Sequence, residues 1–247
     1  VSSVAGRIAG SGDSVHGRLD LTLINGFTQV WPSGSLRFDL RDRFRFTGSI
    51  LGAENNEIAL DIVSDRGFSE FELRELSVAL EEQDGWATTG PTIIRRGGDS
   101  LAVRGLELVS EGGGAVRLDA TGSMNGPISA NLHLAQFPLD WIEPWVDETG
   151  FEGLISGDIT LGGRSEALRV EADLNSVGLS IPNAVSDLDC EFSISTDDEA
   201  VVWEAEIKSA DNSLANFRGN LPVKLSLSGV DVDWNGPLAI DGSLAPV

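Results

Sequence analysis

An all-β fold is what this sequence predicts, on three observations. Apolar residues recur at every second position in segment after segment, which is the period of a strand with one dry and one wet face. Glycine-led turn dipeptides separate the segments. The three-and-four spacing of a helical face is nearly confined to one stretch, near 138–147.

The segments follow one another with little interruption. Leu19, Leu21 and Leu23 oppose Arg18, Asp20 and Thr22, and Leu36, Phe38 and Leu40 oppose Arg37, Asp39 and Arg41. Ile58, Leu60 and Ile62 continue the pattern, then Val78 and Leu80, then Val116, Leu118 and Ala120. Leu168, Val170, Ala172 and Leu174 alternate with Arg169, Glu171 and Asp173. Val177, Leu179 and Ile181 make the next phase, followed by Leu188 to Ile194, by Trp203, Ala205 and Ile207, by Val223, Leu225 and Leu227, and by Val230, Val232 and Trp234. About sixteen segments can be counted, several at the spacing of an all-β chain. Asn25-Gly26, Asn125-Gly126 and Asn235-Gly236 suit the positive φ angles of hairpin turns, and Pro127 and Pro237 are placed to start strands.

The stretch from Ile128 to Gly163 breaks the rhythm. Ile128, Ala130, Leu132 and Leu134 share one strand face, and strand pattern resumes from Leu154 to Leu161. Between them, Leu139, Ile142, Trp145 and Val146 have helical spacing, though Pro138 and Pro144 limit any helix to a turn or two. This is a module joint near 136–153, with a short helix covering the end of a sheet. No linker of biased composition appears, so residues 1–247 are expected to be one segment, and the absence of an initial Met suggests a piece of a longer protein.

Formal net charge is -22, from 39 acidic against 17 basic residues. Such a surface repels phosphate backbones, so nucleic acid is not an expected partner. The one cysteine, Cys190, excludes an intrachain disulfide framework; it falls in phase with Leu188, Phe192 and Ile194 and is expected to pack as a small hydrophobe.

No constellation points to catalysis. His16 and His133 have no triad or metal-ligand context, and Asp13, Ser14 and His16 lie along one strand without the convergence that a nucleophile needs. Asp231, Asp233, Asn235 and Gly236 open like a calcium loop, but its twelfth position is Gly242 where a bidentate Glu is required. Gly97-Gly98-Asp99 is expected to be a turn. The six tryptophans are scattered, with Trp203 and Trp234 in apolar phase, Trp141 and Trp145 in the joint, and Trp31 and Trp86 before turn residues. That scatter favours packing over a sugar-stacking platform. No enzyme activity, metal or cofactor is expected.

One-sided strands without long helices must put their apolar faces somewhere. They can close as sandwiches or barrels, or line an open trough that holds an apolar ligand. Alternation by itself does not choose.

The succession SLAVRGLELVSEGGGAVRLDATGSMNGPISANLHLAQFPLDWIEPWV, then GFEGLISGDITLGG, then LRVEADLNSVGLSIP, with IDGSLAPV at the end, resembles the TamB family of AsmA-related, inner-membrane-anchored proteins of diderm bacteria. The resemblance covers most of the chain from Ser100 onward and carries no catalytic residue. It implies a long, curved, mostly antiparallel sheet folded like a taco around a hydrophobic groove, similar to bridge-like lipid transfer proteins. It further implies a periplasmic span between the two membranes, phospholipid acyl chains as cargo, and TamA, an outer-membrane β-barrel assembly protein, as a partner of the full-length protein. On that reading the groove would be lined by Leu132, Leu134, Val170, Leu174, Leu179, Cys190, Phe192, Ile194, Trp203, Ile207, Leu225 and Leu227. The alternative is a β-sandwich binding or structural module with a closed dry core.

Overall fold

The structure is a computed structural model that describes all residues except 1–2, 12–13, 27–28, 41–42, 52–55, 80–83, 124, 142–149, 151, 182–184, 197–199, 210–211, 227–228, 233–238 and 245–247. The fold is all-β and antiparallel in every register resolved, with nineteen strands among the described residues. The backbone clusters into two units, one of Val1–Ala115 with Pro144–Asp147, the other of Val116–Glu143 with Glu148–Val247.

In the first unit β1 (Ser3–Ser11), β2 (Ser14–Gly26), β3 (Gln29–Leu40), β4 (Phe44–Leu51), β5 (Glu57–Ser64) and β6 (Glu70–Ala79) form a meander, each strand antiparallel to the next. Because register preserves the pleat, alternate residues of neighbouring strands line up on one face. Leu36, Gly48, Leu60 and Leu76 make one such row, and Phe38, Phe46, Ile62 and Leu73 another. The rings of Phe38, Phe44, Phe68 and Phe71 follow one another at centroid separations of 6.4, 5.3 and 6.4 Å. Phe68 reaches that chain from a turn, with φ of 52°.

The meander then meets an interrupted strand. β7 (Trp86–Thr88) and β8 (Thr92–Gly97) both pair with β6 on one side and with β9 (Ser100–Ser110) on the other. Gly90-Pro91 breaks the ladder between them, since proline has no N–H to give. Side chains and displaced backbone groups fill the gap: the Leu76 N–H donates to Thr88 Oγ1 at 3.1 Å, the Thr89 N–H to the Glu107 carbonyl at 3.1 Å, and the buried Thr92 hydroxyl to the Gly105 carbonyl at 3.2 Å. Val63, Leu73 and Trp86 are the buried apolar residues here.

The second unit holds β10 (Ala115–Ser123), β11 (Pro127–Pro138), β12 (Glu152–Arg164), β13 (Ala167–Ile181), β14 (Val185–Thr196), β15 (Val201–Ser209) and β16 (Asn212–Leu221). β11 to β16 pair consecutively, and β19 (Ala239–Leu244) adds to the outer side of β16. β17 (Val223–Ser226) and β18 (Gly229–Val232) form a hairpin that touches β13 through Leu168 and Leu225.

Several local expectations change. Asn125-Gly126 does make the turn into β11, where the Gly126 N–H donates to the Ser123 carbonyl at 3.3 Å. Asn25 and Gly26 instead remain in the ladder, opposite Val30 and Gln29. Asn235-Gly236 lies outside the described residues. Of the short helix near 138–147, residues 139–141 make a single 3-10 turn with Leu139 buried, and 142–147 lie outside the described residues. Gly97-Gly98-Asp99 is the hairpin turn between β8 and β9, with Gly98 at φ 60°.

Candidate functional site

One face of β11 to β16 carries a continuous series of apolar residues. Registers carry Leu132 to Ile159, Ala172, Ile194 and Trp203 in one row perpendicular to the strands. The next row runs from Leu134 through Gly157, Leu174, Phe192 and Ala205 to Phe217. Phe137, Ile155, Ser176, Cys190, Ile207 and Ala215 form the third. Val170 extends the face beside Leu161, Leu179 stands opposite Leu188, and Leu225 stands opposite Leu168. Every predicted groove residue is thereby on this face except Leu227, which lies outside the described residues.

Leu179 reaches the face by a device that the alternation conceals. Between the Ser176–Cys190 and Leu179–Leu188 pairs, β13 has one more residue than β14, and Gly178 at φ 65° absorbs the extra step. Such a bulge reverses the parity of the strand. Val177, expected in phase with Leu179, points the other way and is 56% exposed. Leu154 alternates regularly with Ile155, and Leu154 and Val177 stand opposite each other on the wet face.

The large lining side chains Leu132, Leu134, Val170, Leu174, Phe192, Ile194, Trp203 and Ile207 are half-buried, while Ala172, Ser176, Leu188 and Ala215 between them are buried. Among the described residues, the largest side chains with less than 2% exposure are Thr92 and Ser64. Two facing sheets would instead enclose Leu, Ile and Phe side chains fully. Close packing within the face is local. The Phe192 and Trp203 rings lie 6.5 Å apart, and the Trp203 indole extends over Gly219, the residue opposite it on β16.

Cys190 belongs to this apolar face, half-buried between Ser176 and Ile207. Burial pushes its thiol pKa up, and the neighbouring Glu191 charge adds to the shift. A thiol held in its neutral form is a weak nucleophile and a weak metal ligand. No group of His, Cys, Asp and Glu among the described residues could hold a metal ion.

The opposite face is mainly polar, with Leu154, Val177, Val202 and Leu214 exposed on it. An open cavity of about 720 Å³ runs across β13 to β16 and β19 with Leu174, Phe192, Ala205 and Phe217 at its floor and both sequence neighbours of each as its walls. That lining places it on the wet side, where Asp173, Glu191, Glu204, Glu206 and Asp241 project. Lys208 bridges Glu191 and Glu206, and its ammonium is held above its usual range chiefly by the Glu191 hydrogen bond. His133 Nδ1 donates to Oδ1 of Asp158, its cross-strand partner, at 2.8 Å on the same exposed side.

Some members of the apolar face were absent from the sequence-based set. Ile155, Ile159 and Leu161 of β12 carry the same alternation and could have been found by it. Ala215 and Phe217 of β16 could not, because SLANFRGNL mixes small and polar residues without a sustained apolar phase.

Comparison with family models, curated proteins and solved structures yields no match.

Proposed function

We propose that the chain is a span of a TamB-like bridge, in which a one-sided apolar groove carries phospholipid acyl chains between the inner and outer bacterial membranes in support of outer-membrane biogenesis. The observation that carries the reading is the half-buried state of the large apolar side chains in the rows on β11 to β16, such as Leu132, Leu174, Phe192 and Trp203, none of which is fully enclosed. A lipid leaving a bilayer exposes its tails at about 0.8 kcal/mol per CH₂, a cost that a continuous apolar row removes. A row of this kind has no fixed polar anchor, so a tail meets the same chemistry at each strand, which suits movement along the face better than capture at one point. The net charge of -22 disfavours non-specific adhesion of the chain to anionic leaflets. The resemblance to the TamB family, with its periplasmic location and its TamA partner, belongs to the same proposal.

The test is site-specific photo-crosslinking in cells. A crosslinker at Val170, Leu174 or Phe192 is expected to capture phospholipid, while one at Glu171, on the opposite phase of β13, is expected to capture none. Equal capture at the two phases, or none at either, rejects the conduit.

A further inference from the structure

The polar face of the first unit carries a feature of opposite charge to the chain as a whole. Arg7 on β1, Arg18 on β2 and Arg37 on β3 stand directly opposite one another in consecutive registers. Adjacent strands lie about 4.8 Å apart, and like charges placed directly opposite are destabilising. A chain with 39 acidic and 17 basic residues has ample acid with which to interrupt such a row. It does so only in part. Arg18 is paired with Asp20 at 2.7 Å, and Arg45, on the neighbouring strand, forms a two-point pair with Asp61 at 3.0 and 2.6 Å. The side chains of Arg7 and Arg37, on either side of Arg18, make no hydrogen bond or ion pair among the described residues.

The row borders an open cavity of about 770 Å³ floored by Gly17 and Phe38, into which all four arginines project and where Asp39 is the one carboxylate in the lining. Gly17 is required there by the fold, because a Cβ at that position would collide with the Phe38 ring on the opposite, apolar face. The floor is therefore set by packing. The row of charges above it is not.

From this geometry we infer an anion-binding site for a phosphate group on the first unit, with Arg7 and Arg37 as its free ligands and Arg18 between them, oriented by Asp20. Guanidinium presents a planar fork of N–H donors that matches phosphate oxygens two at a time, and it stays charged at any physiological pH. Three forks strung across adjacent strands suit a group that offers several oxygens at once, a pyrophosphate or a phosphate monoester, better than a single carboxylate. Binding relieves the mutual repulsion of the row, so the site is least comfortable when empty. This is the arrangement expected where stability has been traded for a ligand. The inference is independent of the conduit on the second unit and involves a different face.

The chemistry is common to a soluble phosphate and to a phosphomonoester headgroup at a bilayer surface, and two measurements separate them. Pyrophosphate is titrated calorimetrically into the full chain at low ionic strength, with sodium chloride of equal ionic strength as the blank. In parallel, the protein is sedimented with phosphatidylcholine vesicles with and without phosphatidic acid. Saturable heat from pyrophosphate, weakened by about tenfold or more in Arg7→Gln and in Arg37→Gln, supports the site. If phosphatidic acid vesicles also retain the protein and the same variants release it, the natural source is a headgroup; if they do not, it is a soluble phosphate. Absence of binding in both assays, or equal binding by wild type and variants, overturns the proposal. Thermal unfolding supplies a second check. Removing one charge from an unliganded repulsive row should leave the melting temperature unchanged or raise it, and a clear fall in both variants would show that the row is structural and overturn the site.

Discussion

Trp203 and Gly219 face each other across β15 and β16, and the indole occupies the volume that a side chain at 219 would need. A Cβ there would lie 2.6 Å from the indole Cζ2, too close for any real contact. Glycine at 219 lets one large ring bridge two strands on the apolar face.

Gly219→Ala is expected to displace the Trp203 ring and to cost about 1–3 kcal/mol, the range for overpacking. Because the face is open on one side, the ring can swing outward, so the loss should fall toward the lower end. Urea unfolding gives the stability change, and a red shift of tryptophan emission would report the outward swing. An unchanged emission and an unchanged midpoint would contradict the contact.

Val170→Asp discriminates between an open apolar face and a closed core. Val170 is half-buried on β13. In an open groove the new carboxylate reaches water at the rim, and the expected loss is about 1–2 kcal/mol; in a closed core the charge has no exit and several kcal/mol would go. The paired measurement is denaturant unfolding of the purified chain and phospholipid capture by a crosslinker at Phe192. A folded variant with lost capture is the outcome expected for a conduit. Complete unfolding would favour the sandwich.

Asp65 should make the first unit sensitive to acid. Its carboxylate accepts hydrogen bonds from the Ser69 hydroxyl at 2.6 Å, the Ser69 N–H at 2.8 Å and the Glu70 N–H at 3.2 Å, tying the turn that places Phe68 against Phe44. The Ser69 hydroxyl leads these contacts in holding the pKa below its ordinary 3.8. A depressed folded value means that the stabilisation is fully present above that ordinary value and is lost as pH falls through the lower, folded one. Asp65→Asn should therefore be less stable than wild type at neutral pH and should converge with it in strong acid. Urea midpoints measured from pH 7 down to about 2 test the convergence.

Cys190 should react slowly with thiol reagents at neutral pH, since burial and then the Glu191 charge favour its protonated form. Full reactivity is expected in urea. Glu191→Gln should speed the native reaction modestly, by removing the smaller of the two causes. A native rate equal to that in urea would place the thiol in open water.

Much of this architecture is legible in the residues themselves. Period-two alternation identifies the strands from Leu36 to Leu40 and from Leu168 to Leu174, and within an unbroken strand it also assigns the face, because the pleat admits no other arrangement. It assigns Leu132, Leu174, Phe192 and Ile207 to one side before any register is known. It goes wrong where one residue is inserted. Val177 reads in phase with Leu179, yet the bulge at Gly178 reverses the parity between them, leaving Val177 outward and bringing Leu179 to the apolar face.

Register is the other quantity that a local pattern leaves open, because it depends on pairing between segments and on the exact length of each loop. Asn25-Gly26 looks like a turn and is ladder, since the flanking strands pair two residues further than the dipeptide suggests. Arg7, Arg18 and Arg37 are three unrelated arginines in the sequence, on three successive strands. Only the tertiary pairing of β1, β2 and β3 brings their Cα atoms into one line, and with it the repulsion that an anion would relieve. By itself the sequence determined the class of fold and the chemistry of each strand's two faces, through local sterics and burial. Tertiary structure decided the neighbours on each face, because hydrogen-bond register acts between residues that no local period connects.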